Sequence, residues 1–191
     1  MARERKFSLE ELYRQVKPLL LSNGYEGFTF SHLADALNVA RGTIYKYFEN
    51  KDELITAYMI FEMEQSHKEL QQISHISDFN GQFDFLISFM FQNSNLHRLI
   101  EIGKQVQSST EVVKKNKQRL MEMQIDMYKH LQDFISLGKQ ENMLKPHLPD
   151  TLILGYIFQS IAIPNHFGIP QTVWVSSIKE MLQSGMFAHN N

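Results

Sequence analysis

The chain has 191 residues, of which 43% are hydrophobic and 21% charged, and this balance predicts a folded protein with a packed core and a soluble surface. The absence of cysteine excludes disulfides, thiolate metal sites and cysteine nucleophiles. The formal net charge is −2, yet residues 1–51 hold eight Lys and Arg against six Asp and Glu. Such a chain binds an acidic partner only if its basic groups are gathered on one surface.

The N-terminal segment MARERKFS is charged and leads into an amphipathic helical pattern formed by Leu9, Leu12, Val16, Leu19 and Leu20. Neither the apolar core of a signal peptide nor the stretch of about 18 apolar residues needed to span a membrane occurs. We therefore expect a cytoplasmic protein with no membrane partner.

Residues 28–39 predict a short helix and the tight turn that ends it. Thr29 is a suitable N-cap for a helix over residues 30–37, and Phe28 and Leu33 are spaced to pack as a hydrophobic staple. Asn38 tolerates the left-handed conformation that ends a helix, after which Val39 can return to the core. The buried face of this helix is predicted to hold Leu33, Ala34 and Leu37.

A second helix is predicted over residues 41–48, with Ile44 and Phe48 buried by their spacing of four. Its other residues offer cationic donors, phenolic and threonine hydroxyls and a glycine that permits close backbone approach, which suits the phosphates and base edges of a major groove. Lys51 follows at the start of the next helix, where its charge and the free amides would together hold one phosphate. The predicted DNA-contacting residues of this helix are Arg41, Gly42, Thr43, Tyr45, Lys46 and Tyr47.

Two alternatives stay open for this segment. It would also fit an ordinary helical hairpin with a solvated basic face, although the cap, staple, turn and aromatic-basic surface agree with one another. Tyr47 alone would also fit packing against the first helix.

The segment resembles the TetR family of bacterial transcriptional regulators through Gly24-Tyr25, Thr29, Leu33-Ala34, Val39, Gly42-Thr43-Ile44-Tyr45, Tyr47-Phe48, Lys51 and Leu54. The resemblance implies that Thr29 caps the second helix and that Arg41, Gly42, Thr43, Tyr45, Tyr47 and Lys51 line the DNA. Two positions depart from the family pattern: Asn38 replaces a common Gly, and Ala40 replaces a Ser that often caps the recognition helix. Losing that cap costs about 0.5–2 kcal/mol.

The rest of the chain is predicted to be helical, because strand-like alternation is scarce and Pro and Gly are concentrated at a few breaks. The predicted class is all-α, with a three-helix helix-turn-helix domain over residues 1–50 and a helical ligand-binding and dimerisation domain over residues 51–191. Helices are expected over 51–74, 83–92, 96–106, 110–142, 151–163 and 170–186, with breaks at 77–81, 93–95 and 108–110.

The last two predicted helices are unusually apolar for the end of a chain, which indicates a dimer interface built from helix hairpins. Packing within one protomer is the alternative. The resemblance implies a homodimer that joins through these helices and reads a palindromic operator, with half-sites roughly 34 Å apart or a multiple of it. The candidate interface residues are Leu152, Tyr156, Ile157, Trp174, Ile178 and Met181.

Ten Met and fourteen Phe provide material for an adaptable apolar pocket, although ordinary core packing explains any one of them equally well. The resemblance implies a small-molecule effector that binds in the C-terminal bundle and moves the helix over residues 51–74, which separates the two DNA-reading heads. The candidate pocket residues are Phe61, Phe89, Met90, Met123, Met127 and Phe158.

Metal and catalytic sites are not expected. No two of the eight histidines stand three or four residues apart, and no phosphate loop or nucleophile motif occurs. We therefore expect no cofactor and no enzyme activity. The sequence predicts a ligand-responsive repressor that binds double-stranded DNA as a homodimer. The alternative is a helical ligand-binding or assembly protein of the same fold that does not read DNA.

Overall fold

A computed structural model describes residues 7–92, 96–108 and 110–188, and within them the chain is all-α, as predicted. The predicted breaks at 93–95 and 108–110 fall on residues outside the described ones, apart from positions 108 and 110. The helices are α1 (Leu9–Gly27), α2 (Phe30–Ala36), α3 (Arg41–Ile44), α4 (Lys51–Leu70), α5 (Phe79–Gln92), α6 (Leu96–Gln105), α7 (Glu111–His130), α8 (Gln132–Gln140), α9 (Asp150–Gln159) and α10 (Gln171–Met186), with short 3-10 helices at Gln71–His75 and Ser160–Ala162.

The described residues form two compact units. The first contains residues 7–65 and 96–123, and the second contains residues 66–92 and 124–188. Helix α6 therefore packs with the N-terminal helices, mainly against α1. The domain boundary predicted after residue 50 stays a prediction.

The core of the first unit joins α1, α2, α3 and the start of α4. Helix α1 begins with a capping box in which Ser8 and Glu11 exchange hydrogen bonds, and it bends at Gly24, whose φ of 68° favours glycine. After this bend, the Phe28 amide still donates to the Gly24 carbonyl oxygen. Phe28 is thereby placed in the core beside α2. The largest fully buried side chains here are Tyr58, Phe28, Leu12, Leu20, Leu33, Ile44, Leu54 and Ile55.

The core of the second unit is built on stacked aromatic rings. Phe79 stands 5.0 Å from Phe134 and 6.3 Å from Phe83, ring centre to ring centre, and all three are buried. Gly138 lies directly against Phe79, so close that an added Cβ would stand 2.5 Å from a carbon of that ring. The packing of α5 against α8 therefore requires a residue without a side chain at position 138.

The long helix predicted up to residue 142 is wrong, because the structure divides it into α7 and α8 at Leu131. The backbone there has φ −86° and ψ 3°, outside the helical range, and the Leu131 side chain is fully buried. Phe134, Ile135 and Gly138 are buried in the segment that follows. The bend lets the buried residues of α8 pack into the core of the second unit. Hydrophobic spacing alone does not predict such a bend.

Asp150 at the start of α9 gives one pH-dependent prediction. Its carboxylate accepts from Lys139 Nζ at 2.6 Å and from Gln132 Nε2, and these hydrogen bonds lower the pKa of Asp150 below its ordinary 3.8. A lowered pKa stabilises the fold above the ordinary value, and that stabilisation is lost as pH falls through the folded-state pKa. We expect Asp150→Asn to lower the free energy of unfolding by about 1 kcal/mol at pH 7.

Urea unfolding of both proteins between pH 7 and pH 2 checks this expectation. The difference between them should close in acid, because the wild-type carboxyl is then also neutral. A difference that stayed constant over this range would contradict the assigned cause.

Candidate nucleic-acid interface

The cap, staple and turn of the first predicted helix are confirmed, although the helix ends at Ala36 and Leu37 is only half-buried. The Thr29 hydroxyl accepts from the His32 amide at 3.3 Å and caps α2, while Phe28 and Leu33 are both buried. Asn38 has φ 52°, and the Val39 amide donates to the Ala34 carbonyl oxygen at 2.9 Å. This is the Schellman arrangement, which satisfies the last carbonyls of α2 and turns the chain towards α3.

The second helix is shorter than predicted. Regular α-helix covers Arg41–Ile44 only, and residues 45–47 continue as turns. The Tyr47 amide donates to the Ile44 carbonyl oxygen at 2.9 Å, which is a 3-10 type bond. Two features account for the short helix: Ala40 provides no side-chain cap, and glycine, β-branched and aromatic residues have weak helix propensity.

Ala40 therefore offers a direct stability test. Its φ of −67° and ψ of 139° suit an N-cap, so a serine hydroxyl there would accept from a free amide of α3. We expect Ala40→Ser to raise the free energy of unfolding by about 0.5–1 kcal/mol in denaturant titrations. Ala36→Ser, on the exposed last residue of α2, supplies no cap and should be neutral or slightly destabilising. Equal effects of the two serines would contradict the capping argument.

Arg41 and Tyr45 form one preorganised pair on the exposed side of α3. Arg41 Nη2 donates to the Tyr45 hydroxyl at 2.8 Å, and its guanidinium lies 5.3 Å from the centre of the tyrosine ring. The ring is held in turn edge-on against buried Phe30, 4.9 Å away. Although 46% exposed, Tyr45 thus has a fixed orientation from which it presents its hydroxyl and the arginine to solvent.

The other predicted contact residues of this segment are also on the surface. Lys46 and Gly42 are exposed and Thr43 is half-buried. Tyr47 is 37% exposed, and its ring stands 5.3 Å from that of Phe7, just before α1. Part of the Tyr47 ring thus packs against the protein, as the alternative prediction had it, and the rest of the ring is accessible to solvent.

Lys51 is placed differently from the expectation. Its Nζ donates to the Tyr25 carbonyl oxygen at 2.9 Å and lies 4.0 Å from the centre of the Tyr25 ring, with Glu26 at 3.8 Å. Asn50 Oδ1 already accepts from the Glu53 amide in the first turn of α4. Lys51 therefore caps the end of α1, and its substitution would disturb the fold as well as any contact with phosphate.

The acidic residues that follow are turned inward. Asp52 and Glu53 are 8% and 6% exposed. Tyr25 donates its hydroxyl to Asp52 at 2.7 Å; burial first, and then the charge and hydrogen bond of Asp52, raise the pKa of Tyr25 to about 12. No acidic residue lies between Asp35 and Glu49, whereas Arg41 and Lys46 do. The segment over residues 36–48 is accordingly basic in a chain of net negative charge, and both of its charged side chains, Arg41 and Lys46, are exposed.

Two hydrogen bonds connect the start of α4 to the start of α7, and sequence reasoning missed both. Thr110 Oγ1 donates to Glu53 Oε1 at 2.8 Å, and Asn116 Nδ2 donates to Thr56 Oγ1 at 3.0 Å. Thr56 is 1% exposed. A single sequence does not show that residues about 60 positions apart are in contact. The one available signal is that Thr56 is a polar residue within an apolar run. We call this pair of bonds the α4–α7 tie.

The six candidate pocket residues are divided between the two units. Phe61 packs against the core of the first unit, and Met123 lies in the same unit but is half-buried and outside that core. Phe89 and Met90 are buried in the core of the second unit, and Met127 and Phe158 pack against it. Core packing therefore accounts for most of these side chains.

The six candidate interface residues also divide. Ile157 and Ile178 are 0% and 4% exposed in the protomer and offer a partner almost no surface, since both turn towards the core of the second unit. Trp174 is half-buried against that core. Leu152, Tyr156 and Met181 are exposed.

In the part of the chain that the structure describes, no three His, Cys, Asp or Glu side chains come together as metal ligands would. Over the same residues, the helices are too short or too polar to cross a membrane.

The N-terminal segment matches a known family. Residues 18–58, which include α2, α3 and the residues that position them, fit the sequence profile described as bacterial regulatory proteins, tetR family. Among curated protein sequences, none matches the chain.

Solved structures share the fold over nearly the whole chain. One is the ketosteroid transcriptional regulator KstR2 of Mycobacterium tuberculosis, with a TM-score of 0.71 and 15% identity over 99% of this chain and 98% of that one. A second is the transcriptional regulator FadR from Bacillus subtilis in complex with stearoyl-CoA, with a TM-score of 0.70 and 20% identity over 95% of this chain and 100% of that one.

A third is a putative transcriptional regulator from Saccharomonospora viridis in complex with choline, with a TM-score of 0.73 and 11% identity over 94% of this chain and 97% of that one. Identities this low establish the fold and no more. The predicted resemblance is thus confirmed for residues 18–58, which match the tetR-family profile, and the whole chain shares its all-α fold with these solved structures.

Proposed function

We propose that this protein is a ligand-responsive transcriptional repressor that reads a palindromic DNA operator as a homodimer. The observation that carries the proposal is the exposed surface of α3 and the turn that follows it, where Arg41, Tyr45 and Lys46 are presented together while Asp52 and Glu53 are buried. Guanidinium, ammonium and phenol groups on a short helix suit base edges and phosphates.

The dimer is proposed to form through α9 and α10. Leu152, Tyr156 and Met181 are 59%, 48% and 61% exposed, which is unusual for large apolar residues on neighbouring helices. A two-fold axis between copies would present two α3 helices to successive half-sites.

A small apolar or amphipathic molecule is the proposed effector, and the core of the second unit is the proposed place of binding. Support comes from its aromatic and methionine side chains, including Phe89, Met90, Met127 and Phe158, which adapt to apolar ligands. FadR and the Saccharomonospora viridis protein were each solved with a small molecule, stearoyl-CoA and choline respectively. The effector releases DNA only if it binds one conformation of the dimer more tightly than the other, where the two conformations differ in the distance between the two helix-turn-helix domains.

The experiment that tests the proposal is selection of bound sequences from random duplex DNA, followed by a salt titration on the enriched duplex. We expect a palindrome. We also expect affinity to fall on the order of 10³-fold between about 50 and 200 mM salt if the dimer neutralises around six phosphates. A folded dimer that enriches no sequence would refute DNA reading and favour the alternative, a helical binding protein of the same fold.

A further inference from the structure

Phe167 is the most exposed large apolar side chain among the described residues, at 93% of its full accessible surface. It lies in the loop between α9 and α10, flanked by Ile163 at 44% and Ile169 at 37%. A lone exposed aromatic is ordinary, but here it stands at the tip of an apolar loop.

The loop that carries Phe167 has a defined conformation. The Asn165 side chain holds both backbone groups of Ile169: its Nδ2 donates to the Ile169 carbonyl oxygen at 2.8 Å, and its Oδ1 accepts from the Ile169 amide at 2.9 Å. Gly168 adopts φ 63°, which closes the turn. The backbone that carries Phe167 is therefore already ordered in the protomer. Binding at an interface then costs less backbone entropy than it would from an unstructured loop.

The sequence around this loop is free of formal charge. From position 151 to position 178 the chain contains no Asp, Glu, Lys or Arg, although 21% of the whole chain is charged. This uncharged segment covers α9 after its first residue Asp150, the loop and the first half of α10. The exposed side chains Leu152, Tyr156 and Val173 lie on the same two helices.

The lack of charge favours a second copy of this chain as the partner. In a two-fold interface, residues near the axis meet their own copies, so a charged side chain there would face a like charge. A different protein partner would gain specificity from complementary charges, and this segment offers none. We propose that Phe167 is an anchor of the homodimer, inserting into the apolar α9–α10 surface of the partner protomer. This proposal rests on the homodimer proposed above.

The test measures the dimer dissociation constant of the full chain by analytical ultracentrifugation over a concentration series. Phe167→Ala is compared with His166→Ala, its exposed neighbour on the same turn. A third variant, Met181→Glu, disrupts the α10 surface outside the loop. We expect Phe167→Ala to raise the dissociation constant about 10²- to 10³-fold, because each dimer loses two buried anchors, with His166→Ala close to wild type.

Asn165→Ala supplies a second, independent variant. It keeps Phe167 but removes both bonds that brace the turn, so it should also weaken the dimer, by less than Phe167→Ala. Circular dichroism spectra that match wild type below the unfolding temperature would show that these variants leave the protomer folded, since Phe167 contributes almost no buried surface there. The melting temperature itself should fall as the dimer weakens, because association stabilises the folded state.

The outcomes separate this inference from the proposed function. If Met181→Glu dissociates the dimer and Phe167→Ala does not, the anchor is refuted while the dimer stands. If wild type is monomeric at every concentration, both fail. Wild type is also mixed with uncharged phosphatidylcholine vesicles; binding that depends on Phe167, without an effect of Phe167→Ala on the dimer, would overturn the anchor in favour of a lipid surface.

Discussion

Replacing Arg41 and Lys46 together by alanine is expected to lower the affinity for the selected duplex by about 100- to 1,000-fold. Both side chains are exposed, so their loss should leave the fold intact, and each dimer loses four cations. The salt dependence should change with the affinity, its logarithmic slope becoming shallower by roughly 3 to 4. Fluorescence anisotropy with labelled duplex at several salt concentrations measures both quantities.

A matched control removes the same number of charges elsewhere. Lys114 and Lys129 each pair with a carboxylate three residues earlier on α7, Glu111 and Asp126 respectively. The double variant Lys114→Ala, Lys129→Ala should bind almost as wild type does. If the two double variants lost equal affinity, net charge rather than the α3 surface would be responsible. Lys51 is left unchanged because it holds the Tyr25 carbonyl oxygen.

Gly138→Ala is expected to destabilise the second unit by about 3 kcal/mol, at the upper end of what overpacking a core costs. The new methyl would stand 2.5 Å from Phe79 Cε2 and 2.7 Å from Leu144 Cδ1, and both of these side chains are fully buried. Phe79 cannot move aside easily, because it is stacked on Phe134. Guanidinium unfolding followed by circular dichroism at fixed protein concentration gives the difference.

Gly185→Ala is the corresponding control on α10. Its added Cβ would meet only Tyr156 Cε1, at an ordinary contact distance of 3.9 Å, so it should be neutral or stabilise by up to about 1 kcal/mol. A double variant of Gly138→Ala with Phe79→Leu should recover part of the lost stability, since the smaller side chain makes room. Gly138→Ala unfolding at the wild-type denaturant concentration would contradict the described packing.

Local signals made the first part of the helix-turn-helix predictable from sequence. Thr29, Asn38 and Val39 act within a few residues of their partners, so cap, turn and return to the core follow from short-range chemistry. The end of α3 was missed because propensities there are weak and no cap fixes the helix. The contact of Lys51 with the Tyr25 carbonyl was not predicted, because that partner lies 26 positions earlier in the chain. Its contact with phosphate stays a prediction.

The scarcity of strand-like alternation and the few Pro and Gly breaks predicted that the C-terminal part is helical, but not which side chains face inward. Ile157 and Tyr156 are adjacent and both apolar, yet one is 0% exposed and the other 48%. A helix that is apolar on most faces carries little periodic information, so its orientation is decided by packing partners from distant segments. Phe61 and Phe89 show the same limit, because the sequence does not reveal that one packs against the core of the first unit and the other lies in the core of the second.

The α4–α7 tie has a consequence for how the start of α4 can move. Its two acceptors, Glu53 and Thr56, are one helical turn apart on α4, while its donors are Thr110, directly before α7, and Asn116, six residues later on α7. Hydrogen bonds weaken steeply with misalignment, so a gradual slide of α4 would strain both bonds together. The two bonds therefore hold the start of α4 in one register against the start of α7. A shift to another register has to break both bonds in one step, so α4 moves between discrete positions and not by gradual sliding.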